Sequence, residues 1–533
     1  MKFGRRRFLA AAPALIGLTA KAGRPIAGQF VNDGFPLGHR LRDHAVFAAP
    51  ARTEKVSIAI VGAGMAGLSA AWRLHKRGFR DFVLLEMEPS AGGNSRWGEN
   101  EITAYPWAAH YVPVPDARSP LVRELFEELG VLQNGVWDER RLCFSPQERL
   151  YIHGRWQEGI EPEAESTSKD RDDYRRFQTR MAEFRASGQF TIPMESGARP
   201  SPLDSISFDQ WLRENNFAAP YLTWYANYAC RDDYGALARD TSAWAGIHYF
   251  ASRAPEERGP LTWPEGNGWI ARRLIERVQP FLRAASPVYS ILRDKTRLRV
   301  RTEARTGLAQ PSGPSGSSGH SAEPSSVVPA SYPEAVEYIA ERVIFAAPTF
   351  ISPYIIEGAP AATGFVYSPW LTANLTMDRL PAEKGIETAW DNVIYDSPAL
   401  GYVVATHMSL SSHIERSVWT FYWSLAEGLP AAMRTMLLEK DWAWWREAIL
   451  DDLARAHPDI RDCVSRIDVM RIGHAMARPS PGFLGSEARR RFASGPGPIY
   501  YANSDLSGFS IFEEAQYRGV AAADRALRDV GRA

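Results

Sequence analysis

An apolar run, Val56-Ser57-Ile58-Ala59-Ile60-Val61, feeds straight into Gly62-Ala63-Gly64-Met65-Ala66-Gly67, and no other stretch constrains the fold so strongly. The run is of buried-strand type. The three glycines have separate jobs in a strand-turn-helix unit: the first makes the tight turn, the second lets a pyrophosphate approach the backbone, and the third lets helix and strand pack closely. Met65 to Arg77 reads as a helix closed by Gly78, and Asp81-Phe82-Val83-Leu84-Leu85-Glu86 as a second strand ending in an acid. A carboxylate about twenty residues past the turn accepts ribose hydroxyls and repels a 2′-phosphate. A glycine string alone arises by chance. The strand before it, the helix after it and Glu86 make a chance turn a poor explanation here, so the sequence predicts an α/β fold with a dinucleotide-binding, Rossmann-type domain.

At 533 residues the chain exceeds one ordinary core, so a second domain is expected. Acids and bases balance at 62 each, which gives no footprint for a nucleic-acid partner. Cys143, Cys230 and Cys463 show no paired or metal-ligand spacing, so neither a disulfide framework nor a metal site is expected. The amino terminus, Gly4-Arg5-Arg6-Arg7-Phe8-Leu9 followed by a mild apolar run and Ala20-Lys21-Ala22, has the three parts of a signal peptide and resembles a twin-arginine signal. Residues 1–22 are therefore read as an export signal, with the mature protein periplasmic or otherwise exported and without a stable membrane span. As the resemblance implies, that route carries proteins folded around their cofactors.

Glu86 is soon followed by Gly92-Gly93-Asn94-Ser95-Arg96, a second glycine pair able to admit a pyrophosphate or ribityl chain, which points to FAD. The order of glycine turn, strand-end acid and second glycine pair resembles the flavin-containing amine oxidase superfamily: monoamine and polyamine oxidases, with phytoene desaturases and protoporphyrinogen oxidase as relatives. Ala108-Ala109-His110-Tyr111 is similar to the family residues that pass the flavin ring, and Gly266-Asn267-Gly268-Trp269 to its later helix opening. Val288 falls where the family's backbone meets adenine, and Phe345-Ala346-Ala347-Pro348 resembles a further Rossmann strand. Tyr500-Tyr501-Ala502-Asn503-Ser504-Asp505, with Phe512-Glu513-Glu514-Ala515, resembles the closing flavin motif. The resemblance implies that Asp505 holds the ribityl chain and that the helix start at Phe512 faces the flavin O2 edge.

The implied architecture is a three-layer FAD/NAD(P)-binding Rossmann-type domain around a parallel sheet, made of 55–112, 264–350 and 495–530. An interleaved α+β substrate domain takes 113–263 and 351–494, and 311–329 is a flexible low-complexity insert. Residues 23–54 read as mixed and turn-rich, and 155–200 as helical and loop insertion outside the core sheets.

Departures from the family bear on substrate more than on cofactor. Asn94 stands for an arginine, Asn503 for a glycine and Ile511 for an aromatic of the amine-guiding cage. The family's lysine near flavin N5 is absent from Thr349 to Glu357, and Lys384 sits in a turn of solvated type. No cysteine matches a linkage motif, so FAD is expected to be noncovalent. The cofactor-binding set is Gly62, Gly64, Met65, Ala66, Gly67, Glu86, Gly92, Gly93, Asn94, Ser95, Ala109, His110, Val288, Pro348, Ser504, Asp505 and Phe512. Catalytic candidates are His407 as proton acceptor, Tyr111 beside the flavin and Asp391 as receiver of a cation; a structural histidine and a strand-capping carboxylate fit His407 and Asp391 as well.

The reading is an exported FAD-dependent oxidoreductase acting on a small, amine-type substrate by hydride transfer to flavin N5, with O2, a quinone or a cytochrome as acceptor. Two alternatives stand beside it: a desaturase or dehydrogenase of the same fold, and a flavin-binding protein without turnover.

Overall fold

The computed structural model describes residues 25–31, 34–161, 167–194, 202–253, 259–304, 334–383, 385–411, 413–495 and 497–531. Two sheets organise them. The first has seven strands, in the order Leu282–Arg283, β3 (Phe82–Leu85), β2 (Arg52–Val61), Glu334–Phe345, Arg297–Ala304 and Val288–Asp294, with Ile499–Tyr501 added beside Glu334–Phe345. Its central pairings are parallel, whereas the last three strands of the order form an antiparallel meander. Helix α2 (Met65–Lys76), the helix Gly268–Val278 and the closing helix Phe512–Asp529 pack on one face. Small residues permit this packing: a Cβ on Gly519 would lie 2.1 Å from the Ala66 carbonyl oxygen. Helices, parallel sheet and meander make the three layers of a Rossmann-type domain.

The second sheet has eight strands, in the order β1 (Ala27–Val31), Val464–Arg478, Val366–Met377, Ser417–Ser424, Gly401–Val404, Asp391–Ile394, Glu148–Ile152 and Arg155–Glu158. Its outer face packs on Pro430–Glu439 and Trp442–Ala454 through Leu437, Trp445 and Ile449. Its inner face carries Trp370, Trp390, Val403 and Tyr422 against Tyr221, Trp224 and Tyr228 of the helix Pro220–Tyr234. That aromatic layer is the wall of the site.

Two expectations are corrected here. The 155–200 stretch contains a core strand, Arg155–Glu158, which pairs with Glu148–Ile152 and closes the edge of the second sheet. The turn-rich 23–54 stretch contains β1 and a helix, α1 (Phe35–Arg42). Strand β1 pairs in parallel with Val464–Arg478, while Leu41 of α1 is buried with Val61, Leu85 and Val288 at the carboxyl edge of the first sheet. The Arg471 guanidinium lies over the rings of Phe30 and Phe35, and Arg40 pairs with Glu303 at 3.0 Å. The amino-terminal segment thus ties both sheets together. Residues 1–22, 311–329 and Lys384 lie outside the described residues. Among those described, no helix is long and apolar enough to cross a membrane.

Candidate active site

The glycine turn has the geometry its spacing predicts. Gly62 has φ +96, and a Cβ on Gly67 would lie 1.8 Å from the Gly62 carbonyl oxygen, so the strand and α2 meet at a distance only glycine allows. A Cβ on Gly64 would touch nothing but Gly93 Cα, at 3.8 Å, which leaves room in front of the turn. Gly64 caps α2 with no side-chain hydrogen bond, so the first-turn N–H groups of Met65, Ala66 and Gly67 remain for an anion. Gly92 and Gly93, at φ +121 and +56, bring the second glycine pair alongside: Gly92 N–H donates to Ala63 O at 2.9 Å.

Glu86 is buried at the end of β3. Its carboxylate accepts the N–H groups of Ala63 at 2.7 Å and Glu88 at 2.9 Å. Burial pushes its pKa up, while those two bonds and the Arg96 guanidinium act to hold the charged form. A carboxylate with two of its roughly four lone-pair sites used can still accept ribose hydroxyls. Ser95 is buried in the following 3-10 turn, and Val288 starts the meander strand in the same apolar cluster as Leu85.

Sequence reasoning missed Arg96. Asn94, standing for the family's arginine, instead donates to Ala475 O at 3.0 Å and accepts Ala109 N–H on its backbone carbonyl, joining the first sheet's loop to the second sheet. Arg96, two residues on, donates Nε–H to Gly93 O at 3.0 Å and sits close enough to Glu86 and Glu88 to lower both carboxyls. It offers the cation that Asn94 cannot. Arg96→Ala is expected to weaken FAD affinity by about ten- to a hundredfold, the loss of one or two charge-assisted hydrogen bonds. Flavin fluorescence during titration of the apoprotein checks this.

Beyond Asn94 a cavity opens between the sheets. Ala108, Ala109, His110 and Tyr111 form its floor, Tyr228, Trp370 and Tyr422 its aromatic wall, and Ile511, Phe512 and Glu513 its far end. The His110 ring stacks on Tyr422 with centroids 4.5 Å apart and bonds the Ala108 carbonyl through Nδ1. Burial drives its pKa down to about 4, so the imidazole is neutral. Tyr111 meets Trp390 edge to face at 5.8 Å. Gly266, at φ +55, packs its turn on His110: a Cβ there would fall 2.6 Å from His110 Cα.

Four carboxyl groups line the same space: Asp232 and Asp233 from the helix Pro220–Tyr234, Asp391 from the strand Asp391–Ile394, and Glu513 from the first turn of the closing helix. Glu148, the in-register neighbour of Asp391, adds a fifth charge nearby. Arg253 is the cation among them and pairs with Asp233 at 3.2 Å. Burial first, then mutual repulsion, pushes these carboxyls up: Asp391 well above its ordinary value, Asp232 to about 7 and Glu513 to about 8. Glu513 Oε2, Asn267 Oδ1, Thr372 Oγ1 and Trp370 Nε1, on residues that line the cavity, are themselves buried without a hydrogen-bond partner. Among the described residues no three His, Cys, Asp or Glu are placed to hold a metal ion.

Of the three catalytic candidates, Tyr111 and Asp391 share this cavity and His407 does not. His407 lies in a short 3-10 turn after the strand Gly401–Val404, with Nε2 on the Phe144 carbonyl at 2.9 Å, a structural bond that takes it out of the site. The Asp505 carboxylate accepts Thr349 N–H at 2.6 Å, Thr349 Oγ1 at 2.8 Å and Tyr367 OH at 2.7 Å, so it pins the turn after Pro348. Asn503 donates to Ala346 O at 3.1 Å and accepts Asp505 N–H, clamping the 3-10 turn that begins at Ser504 onto the end of the strand Glu334–Phe345. Asp232, Asp233, Arg253, Trp370, Tyr422 and Glu513 were not singled out from sequence. The one local sign was an acid pair inside an otherwise aromatic and apolar helix.

A model of NAD(P)-binding Rossmann-like domains matches residues 60–129. A Baeyer-Villiger monooxygenase of Streptomyces coelicolor is 45% identical over 60 residues, 11% of either chain. Ketocytochalasin monooxygenase of Aspergillus clavatus is 33% identical over 99 residues, 19% of this chain and 13% of that protein. The match thus spans little more than a tenth of these curated relatives. Solved structures share nearly the whole architecture. Putrescine oxidase with putrescine bound superposes with a TM-score of 0.64 at 15% identity, covering 89% of this chain and all of that one. Cyclohexylamine oxidase from Brevibacterium oxydans gives 0.64 at 14%, covering 90% and 100%. A fatty acid isomerase from P. acnes gives 0.58 at 14%, covering 89% and 98%. The fold is the one that these oxidase and isomerase structures share.

Proposed function

We propose, starting from this shared fold, that the chain is an FAD-dependent oxidoreductase that oxidises a small cationic amine. The observation that carries the reading is the cavity beyond the glycine turn, where aromatic rings and four carboxyl groups line one space. An ammonium group is attracted by both, to ring faces and to carboxylates. The same carboxyls disfavour a long hydrocarbon, whose binding would leave them desolvated and unpaired. That argues against the desaturase alternative.

The residues fit FAD. The uncapped start of α2 and Arg96 would hold the pyrophosphate, Glu86 the adenosine ribose, and the Ala108–Ala109 floor and the Phe512 helix start the flavin ring. When bound, FAD supplies the acceptor for two electrons and a hydrogen from the carbon next to nitrogen. The chain's own part is to bind and orient. Asp232, Asp391 and the Asp233·Arg253 pair line the path of the incoming cation, His110 stacked on Tyr422 fixes the floor, and the apolar aromatics keep bulk water from the reacting carbon. Noncovalent attachment, a dioxygen acceptor and export through the amino-terminal twin-arginine-type segment complete the proposal.

Anaerobic mixing of the purified protein with benzylamine and with 1,4-diaminobutane tests it. Bleaching of the flavin band by at least one is the expected result. A wider panel of primary and secondary amines that leaves the flavin fully oxidised would remove amine oxidation as the function.

A further inference from the structure

The superfamily resemblance carries with it a lysine near flavin N5, and no lysine lines this cavity among the described residues. A bound ammonium must nevertheless lose a proton before the carbon next to it can give up a hydride, because the cationic nitrogen has no lone pair to support the developing positive charge. Resting on the amine reading above, we propose that Asp232 is the proton acceptor for the substrate nitrogen. The step breaks one N–H bond of the ammonium and forms one O–H bond on the Asp232 carboxyl. It leaves a neutral amine and needs no oxidant.

The placement of charges around the cavity singles out Asp232. Asp233, the next residue on the same helix, is committed to the Arg253 guanidinium through both carboxylate oxygens, at 3.3 and 3.2 Å. Asp391 lies on the strand next to Glu148, with the charges of Glu148 and Asp232 opposing its ionisation. Glu513 is almost fully buried at the far end, beside Glu514 and Asp233, and is held protonated at neutral pH. Asp232, half-buried like Asp391, lines the cavity beside the Asp233·Arg253 pair and, unlike Asp391, has a guanidinium among the charges that act on it. Burial and the neighbouring Asp233 raise its carboxyl toward neutrality, which is where a general base works best. The aromatic side chains around it, Tyr111, Tyr228 and Tyr249, all have phenol pKa values raised by burial and do not compete as bases.

The test compares wild type, Asp232→Asn and Asp232→Glu, each checked for FAD content. Anaerobic flavin reduction by benzylamine is followed from pH 5.5 to 10. In the wild type the reduction rate should fall as pH drops through about 7, because a protonated Asp232 cannot accept a proton. In Asp232→Asn the rate at pH 7.5 should fall by roughly 10² to 10⁴, the usual share of general-base catalysis, with the remaining pH dependence following the substrate's own nitrogen. Asp232→Glu should recover much of the rate with a displaced limb. Binding of benzyltrimethylammonium, which has no proton to give, is read from the flavin spectrum. It should weaken below pH 7 in the wild type and lose that dependence in Asp232→Asn. An Asp232→Asn protein that keeps the limb near pH 7 and reduces within threefold of wild type would overturn the assignment while leaving amine oxidation intact. No reduction of the wild type by any amine would instead overturn the amine reading, and this step with it.

Discussion

Gly67→Ala is expected to yield a protein with less than a tenth of the wild-type flavin. The new methyl carbon would lie 1.8 Å from the Gly62 carbonyl oxygen, inside any possible contact, and its neighbour is backbone that cannot rotate away. The strand end and α2 must separate, which moves the first-turn N–H groups off the pyrophosphate and costs about 1–3 kcal/mol of stability in addition. Gly78→Ala is the control. Gly78, unlike the helical Gly67, has positive φ, at +76, but nothing lies within 4 Å of the place a methyl group there would occupy, so it should lose about 1 kcal/mol and keep its flavin. Absorbance at the flavin band per chain, measured on both variants, separates a defect at the turn from general damage. Equal flavin in the two would contradict the role given to Gly67.

Arg149→Met is expected to destabilise the second sheet by about 3–5 kcal/mol, the usual cost of stranding one partner of a buried ion pair. The Arg149 side chain is fully buried. It pairs with Glu383 at 2.6 and 2.8 Å, donates to Asn392 Oδ1 at 2.5 Å and to Tyr402 OH at 3.2 Å, and lies 3.9 Å over the Trp156 ring. Tyr402 in turn meets His457 Nε2 at 2.7 Å. Asn392 follows Asp391, so this network on the outer side of the strand fixes the carboxyl presented to the cavity on the other. Arg149→Lys should recover under half of the loss, because an ammonium cannot serve the same fork of acceptors. Thermal unfolding of the three proteins, followed by near-ultraviolet circular dichroism, measures it. A loss below about 1 kcal/mol for Arg149→Met would refute the assignment.

The cofactor half of this molecule was legible because its chemistry is local. Gly62 to Gly67 and Glu86 belong to one strand-turn-helix-strand unit, and the closest approach in it, Gly67 on the Gly62 carbonyl, lies within that unit. The cavity wall was not, because it assembles from segments far apart in the chain. Asp232 and Asp233 sit in a helix where an acid pair reads as a solvated face, and only the packing of Tyr422 and Trp370 across the sheet makes that face a cavity. Strand β1 carries no periodic pattern of its own and exists because Val464–Arg478 offers it a free edge. Arg155–Glu158 is short and polar, as sheet edges are, and so looked like loop. His407 and Asp505 were chosen for chemistry and position along the chain. Each proved to be held by a bond, to Phe144 in one case and to Thr349 and Tyr367 in the other, that no local pattern reveals.

Heat denaturation of the purified protein, followed by spectroscopy and chromatography of the clear supernatant, bears most directly on the central claim that this chain cradles FAD noncovalently at the Gly62–Gly67 turn. The expected result is about one FAD released per chain. A supernatant without isoalloxazine absorbance, from protein that also takes up no added FAD in calorimetry, would contradict it.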